Sequence, residues 1–514
     1  MSSYSATSPA SRSLDPGGAL ARLFCRPQTA VVLFLVAVLQ QSIGHHNADN
    51  SWLFTMCEKV LDGARPYTDI IETNPPASFL LYMPAALLAR WLQAPMELIV
   101  SVLVFAGALG CIVFSGAILK TGGLLRADET PLIANAAVLS LILMPGFSFA
   151  EREHIAAFLV LPMLALYAVR AEAGEIRFGQ ALAAGLLAGL VMAIKPHFVF
   201  AVALPLLLMA WRRRSLAPAL RVENFAAAAV VLVYLASIVL LFPGFFDVLP
   251  TLLHAYAPLR EPFVELVQHS WLLVNLGLLA AIGYVLRVRG FDARVAVAGA
   301  ASAGFLAAFL VQGKGWVNHG LPGVALAFLA LAIAVAPGLF SVAVGRVDAA
   351  WTSLRRLNLF IMLPAILGLP VLFGTLVQFT MREEYPGVAE IIRRIGPAQP
   401  KIITVSPDLD LGHPLVRRVG GVWSGQPHSL WLMLYAQLLI DSGRGDSAQL
   451  AGFIARDARM FADAVAASHP DFILVSTGKR VDQMLAHPDI AAAMRGYAAT
   501  ETAGEITIWT PKRR

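Results

Sequence analysis

The sequence predicts an α-helical polytopic membrane protein, with about eleven transmembrane helices plus juxtamembrane helices and a small C-terminal α/β extracytoplasmic domain. Three observations predict it. The 514 residues are 58% hydrophobic and only 14% charged, whereas soluble domains are about a quarter charged. Apolar runs near the roughly 20 residues that cross a hydrocarbon core recur along most of the chain. After residue 380 the pattern changes to short β-like runs separated by helix-like stretches.

Residues 1–27, rich in Ser, Ala and Gly, read as a disordered cytoplasmic tail. The apolar run that follows Arg22 and Arg26 has no small-residue cleavage site behind it, so it is expected to be a retained anchor. The membrane part, 28–380, is expected to hold segments at 28–43, 97–119, 131–147, 155–169, 181–194, 198–211, 224–242, 271–286, 295–311, 321–340 and 357–379. The stretch 77–91 is apolar but contains Pro84 and ends in Arg90-Trp91. If it does not cross, Lys120, Arg126, Arg170, Arg177, Arg212-Arg213-Arg214 with Arg221, Arg287, Arg289, Arg294, Arg346, Arg355 and Arg356 all fall on the cytoplasmic side, as the positive-inside tendency expects. That choice places residues 381–514 outside the cytoplasm as a soluble periplasmic α/β domain. Its strands are expected at Lys401–Val405, Phe472–Val475 and 505–509, with a helix over 447–467.

Composition also excludes function classes. Cys25, Cys57 and Cys111 are far apart and form no CxxC or Cys/His cluster, which argues against a disulfide framework or structural zinc. The net charge of +6 is explained by cytoplasmic loops, so no nucleic-acid partner is expected. No cofactor is expected.

With this sidedness, five outer loops collect the chemistry-bearing residues. The first carries His45, His46, Asp49, Trp52, Tyr67, Asp69 and Glu72. The second is Glu151-Arg152-Glu153-His154, the third Lys195-Pro196-His197. The fourth, 243–270, is amphipathic and holds His254, Arg260 and His269. The fifth runs from Gln312 through Lys314 to His319. Ionisable groups at membrane depth are costly and tend to face a cavity. A carboxylate can take a proton from an acceptor hydroxyl, and cations can offset the charge on a phosphate leaving group. Asp49 and Glu153 are the catalytic candidates. Asp69, Glu72, Glu151, His154, Lys195, His197, Lys314 and His319 are the substrate-binding candidates. Structural readings stand beside these. Asp49 could cap a helix, Asp69 and Glu72 could be solvated loop charges, Glu151 and Glu153 could pair with Arg152, and Lys195 could snorkel to the interface.

The first outer loop, Asp49-Asn50-Ser51-Trp52 followed by Gly63-Ala64-Arg65-Pro66-Tyr67-Thr68-Asp69 and Asn74-Pro75-Pro76, resembles that of the GT-C fold glycosyltransferases that use polyprenyl-phosphate sugars. Protein mannosyltransferases and the aminoarabinose transferase of lipid A belong to this group. The resemblance implies a multi-pass enzyme of the bacterial inner membrane with an extracytoplasmic active site. It implies Asp49 as the base acting on the acceptor and Glu153 or Glu151 near a second acidic position. Lys195, Lys314 and His319 would serve the lipid phosphate. The implied partners are a polyprenyl-phosphate-linked sugar donor, a cell-envelope glycan or lipid acceptor, and membrane lipid. This sequence departs from the family pattern in having Asp49-Asn50 in place of an acidic pair, and Glu-Arg-Glu-His in place of an isolated Asp. The single carboxylate sets it apart from the oligosaccharyltransferase branch, which holds a divalent cation with paired acids, so the resemblance implies no required metal. Two other readings remain at this stage. A lipid-linked saccharide flippase would show related halves, and a surface-polysaccharide ligase or polymerase would share donor and layout.

Overall fold

The computed structural model describes residues 22–44, 46–343 and 385–512. The expected segment 357–379 and His45 lie outside them.

The chain begins with α1 (Gln28–Ile43), turns by 72° and continues into α2 (Ala48–Leu61). Asn47 makes that turn possible. Its extended backbone sets it before the helix, and its side-chain oxygen accepts the Asn50 N–H at 3.0 Å. The stretch 77–91 forms two short pieces, Ala77–Leu80 and α3 (Met83–Leu92). At about 1.5 Å per residue, α3 covers half a bilayer. Next come α4 (Met96–Thr121), α5 (Thr130–Val138), α6 (Arg152–Ala171), α7 (Phe178–Ile194), α8 (Val199–Arg213), α9 (Val222–Leu241), α10 (Ser270–Arg289), α11 (Ala293–Gln312) and α12 (Val317–Ala343).

Among the described residues, six helices (α4, α6, α9, α10, α11 and α12) are long and apolar enough to cross a membrane, or seven counting α1 and α2 as one bent span. The other expected segments form shorter helices. α7 has 17 residues and α8 has 15, with Pro205 inside it. The run expected at 131–147 stops early, because α5 passes into a single π turn at Leu139–Leu143 and then a 3₁₀ turn at Gly146–Ser148. Such interruptions are tolerated where the backbone is buried in protein or lines a cavity. Both apply here, for Ser140 is fully buried and Met144, Pro145 and Phe147 line the central cavity.

Lipid tails give helices no hydrophobic drive to associate, so small residues let backbones approach. A Cβ on Gly185 of α7 would lie 2.2 Å from the Glu223 carbonyl of α9, and one on Gly189 would lie 2.6 Å from Val230 Cβ. A Cβ on Gly304 of α11 would meet the Phe200 carbonyl of α8 at 2.3 Å. The opposite face of α9 is apolar and open, with Leu240 76% exposed, as a lipid-facing helix requires.

The C-terminal part folds around a five-stranded mixed sheet in the order β2-β1-β3-β5-β4. The strands are β1 (Lys401–Val405), β2 (Val422–Trp423), β3 (Phe472–Val475), β4 (Tyr497–Ala503) and β5 (Ile506–Pro511). β1 pairs in parallel with β2 and β3, while β5 is antiparallel to β3 and β4. The β1 and β3 side chains, Ile402, Val405, Phe472 and Leu474 among them, are buried on both faces, which explains their unbroken apolar runs. Helices α13 (Trp431–Asp441) and α14 (Ser447–Ser468) connect β2 to β3.

Polar contacts fix this domain on the membrane part. Arg417 chelates Glu58 of α2 at 2.5 and 2.9 Å and reaches Glu97 of α4 at 2.6 Å. The Ile71 N–H donates to the Gln426 carbonyl at 2.9 Å. The Trp52 indole packs edge-on against His413 and His428.

Candidate active site

Every loop that joins the site lies at the same end of the helices. α7 starts after Arg177 and ends at Lys195; α8 leaves the cavity and ends at Arg212 and Arg213; α10 ends at Arg287 and Arg289; α11 begins at Arg294 and ends at Gln312. The five loops singled out in the sequence therefore share one face, and the arginine-rich loops lie at the other. Between the loops and the C-terminal domain is a cavity of about 950 Å³.

The floor begins with Asp49, in the first turn of α2, where the helix end favours negative charge. Its carboxylate is 37% exposed and faces the cavity. The Arg152 guanidinium, 7% exposed, approaches it at 3.5 Å, while Arg152 Nη1 is buried with no hydrogen-bond partner among the described residues. Glu151 accepts side-chain amide N–H groups from both Asn47 and Asn318, joining α2 to α12. Glu153 is fully buried in an ion pair with Lys195. Lys195 Nζ also donates to Gln312 at 3.2 Å and lies 3.3 Å from His319 Nε2, which is 3.4 Å from Glu153. Lys195, His197, His319 and Lys314 all line the cavity. Lys314 Nζ donates to the Tyr256 and Leu259 carbonyls at 2.8 and 2.5 Å and sits 4.1 Å from the Tyr256 ring centroid. Burial, with the Arg260 charge beside it, lowers this ammonium to about 8.

Three of the expected binding residues lie off the cavity. Asp69 is held by Arg65 through paired hydrogen bonds at 2.9 Å, which lower its carboxyl to about 2; it is a solvent-side loop brace. Glu72 is buried and accepts the Trp52 indole N–H at 2.5 Å and the Asn74 N–H at 2.8 Å, so it shapes the loop from which Thr73, Asn74 and Pro75 do reach the cavity. His154 accepts the Ala150 N–H on Nδ1 at 3.0 Å and faces the Leu141 carbonyl with Nε2 at 2.7 Å, between the Phe149 and Phe158 rings. It thereby supports the left-handed conformation of Ala150, φ 65°, which is uncommon for a residue with a Cβ. Glu153, one of the two catalytic candidates, does not line the cavity; it lies buried beneath it, paired with Lys195, which does.

Sequence reasoning missed the roof. Asp408, Asp410, His428, Trp431, Leu434 and Tyr435, all from the C-terminal domain, line the same cavity. Their signal was the turn Pro407-Asp408-Leu409-Asp410 directly after the β1 run, a position where open α/β sheets place ligand-binding loops.

No family model matches the sequence, and no curated protein matches it. Solved structures do. ArnT from Cupriavidus metallidurans bound to undecaprenyl phosphate aligns over 94% of this chain and 97% of its own, at 14% identity and a TM-score of 0.54. Its apo form aligns over 97% and 98%, at 13% identity and a TM-score of 0.53. The chain has the ArnT fold. The GT-C architecture implied by the first outer loop is thus the architecture observed, and the alignment takes in both the helical part and the C-terminal sheet.

Proposed function

We propose that this protein is a membrane glycosyltransferase that moves a sugar from a polyprenyl-phosphate donor to a cell-envelope glycan or lipid, with inversion, on the outer face of the bacterial inner membrane. One observation carries the reading. In an ArnT-like fold, a single cavity holds a partly open carboxylate, Asp49, facing a set of cations, Arg152, Lys195 and Lys314. The ArnT structure that this chain resembles binds undecaprenyl phosphate, and a lipid phosphate is the anion such cations suit. The basic loops at the far end of the helices favour a cytoplasmic position there, which turns the cavity outward.

In the reaction, Asp49 takes the proton of the acceptor hydroxyl. The hydroxyl oxygen forms a bond to the anomeric carbon from the face opposite the phosphate, and the bond from that carbon to the phosphate oxygen breaks. The electron pair leaves with the lipid phosphate, whose charge Lys195, Lys314 and Arg152 offset. Glu153 and His319 hold the Lys195 ammonium in place. The segment 243–270, tied down by Lys314, borders the donor's route from the bilayer.

The test is transfer by the full-length protein in nanodiscs, followed as undecaprenyl phosphate released from an undecaprenyl-phosphate-linked sugar. Asp49→Asn should lower turnover with donor affinity and thermal midpoint unchanged. Wild-type turnover in that variant rejects Asp49 as the base, and failure of the wild-type protein to bind undecaprenyl phosphate rejects the transferase reading.

A further inference from the structure

The roof carries groups that this chemistry does not use, and it is built like a ligand-binding edge. β1 lies between β2 and β3, all three parallel. The chain leaves β1 toward β2 on one side, and leaves β3 toward β4 and β5 on the other. The carboxyl ends of β1 and β3 therefore mark a topological switch point, the place where open α/β sheets hold ligands. The loop after β1 and the connection after β2 both reach the cavity. The first is held in shape by its own bonds. Ser406 Oγ accepts the Asp408 N–H at 3.1 Å, Ser429 Oγ donates to the Pro407 carbonyl at 3.0 Å, and the Leu430 N–H donates to the Ser406 carbonyl at 2.9 Å.

This loop presents Asp408 and Asp410 to the cavity, and no hydrogen bond or ion pair reaches either carboxylate among the described residues. Beside them stand aromatic rings from both halves of the protein. Trp431 lies 6.2 Å from Tyr256 and 5.6 Å from Tyr435, and Tyr435 lies 5.9 Å from Tyr256. The floor is cationic and the roof anionic. A phosphate suits the first and is repelled by the second. Apolar ring faces beside open hydrogen-bond acceptors suit a molecule that is apolar on one face and rich in hydroxyl donors at its rim, which describes a sugar ring.

We propose that the roof is the acceptor-sugar subsite: a neutral saccharide ring stacks on Tyr435, which the buried Trp431 braces, and donates hydroxyls to Asp408 and Asp410, while a further hydroxyl faces Asp49. The proposal rests on the transferase reading above for its term acceptor; the saccharide chemistry of the roof stands on the geometry. Asp49, Asp408, Asp410 and Tyr435 line one cavity, so a ring held on the roof shares its chamber with the base.

The experiment uses the full-length protein in nanodiscs and two probes measured separately. Undecaprenyl phosphate is followed by tryptophan quenching. Methyl glycosides and short oligosaccharides of neutral hexoses, pentoses and hexuronic acids are followed by saturation-transfer NMR. Neutral glycosides should bind, and hexuronic acids should bind at least about tenfold more weakly, because their carboxylates meet Asp408 and Asp410. The Asp408→Asn/Asp410→Asn protein should lose neutral glycoside affinity by about tenfold or more, the scale of a hydrogen bond to a charged group, with undecaprenyl phosphate affinity within about twofold of wild type. Asp410→Asn alone, at a side chain with no structural partner, should show the same direction in a protein of wild-type thermal midpoint. A wild-type protein that binds undecaprenyl phosphate but no neutral glycoside overturns the proposal, as does a double variant of wild-type glycoside affinity. If glycosides bind in an Asp408- and Asp410-dependent way and undecaprenyl phosphate does not bind, the roof assignment stands and the transferase reading fails.

Discussion

On the floor of the cavity, Glu153, Lys195 and His319 occupy a buried cluster in which the charged side chains neutralise one another, and Glu151 is held by two asparagine amides. On the roof, about 250 residues later in the chain, Asp408 and Asp410 face the cavity with no ion pair among the described residues. Burial, with the Asp49 and Asp408 charges nearby, raises Asp410 to about 6. Buried charges must be paired where they sit at membrane depth, because an unpaired one is expensive there. Charges on a water-facing loop can stay open. The floor is thus built to keep its geometry, and the roof is built to be satisfied by whatever enters.

The largest expected effect is on catalysis. Asp49→Asn should cut turnover by about 10²- to 10⁴-fold, the range for a lost general base, with the thermal midpoint unmoved because the Asp49 side chain is more than a third exposed. Next is stability on the floor. Lys195→Met leaves Glu153 buried without its counter-ion and should cost about 3–5 kcal/mol, read as a fall in thermal midpoint. Glu153→Gln combined with Lys195→Met should recover most of that loss but not transfer. A double variant that regained both would show that the pair is only structural.

A smaller effect separates the Lys314 edge from the rest of the floor. The Lys314 ammonium is charged below about 8 and loses its proton above. Undecaprenyl phosphate affinity should therefore weaken by up to about tenfold between pH 7 and pH 9, a charge-assisted hydrogen bond being worth about that much. Lys314→Arg should flatten the profile; a wild-type profile that is already flat would remove Lys314 from the phosphate site. A further effect lies in the C-terminal domain. Asp457 on α14 accepts the Met433 N–H at 3.0 Å at the start of α13, and burial raises its carboxyl to about 7. Its folded-state pKa lies above the unfolded one of about 3.9. Its contribution is thus full below about pH 4 and is lost as pH rises through 7. Asp457→Asn should raise the thermal midpoint relative to wild type at pH 8 and not at pH 4. An equal difference at both pH values would refute the assignment.

What could be read in the sequence follows the same division. The floor was legible because charges inside apolar runs are rare and carry meaning. Asp49, Lys195, Lys314 and His319 stand out for that reason, and the charge bias of the loops grouped the five loops that line one cavity. The pairing was not legible. Nothing local to Glu153 says that its partner is 42 residues away on the next loop, or that His154 will spend both ring nitrogens on the backbone. Where the helices break was not legible either, because hydropathy registers the apolar run but not the π turn after α5 or the 15-residue length of α8. The roof escaped because its residues lie in the C-terminal α/β part of the chain, where Asp, Trp and Tyr are unexceptional. Only the sheet order turns the loop after β1 toward the cavity.

The two asparagines on Glu151 have a consequence for biosynthesis. They fasten residue 47 to residue 318 through residue 151, and the last wall comes from residues 408–435. No nascent chain shorter than 318 residues can hold the second acidic loop in place, and none shorter than about 435 residues can complete the cavity wall. A ribosome-stalled fragment ending near residue 343 should insert its helices yet leave Asp49 open to a water-soluble carboxyl reagent that the finished protein slows. Equal labelling of the two would show that the chamber does not depend on its late-made lid.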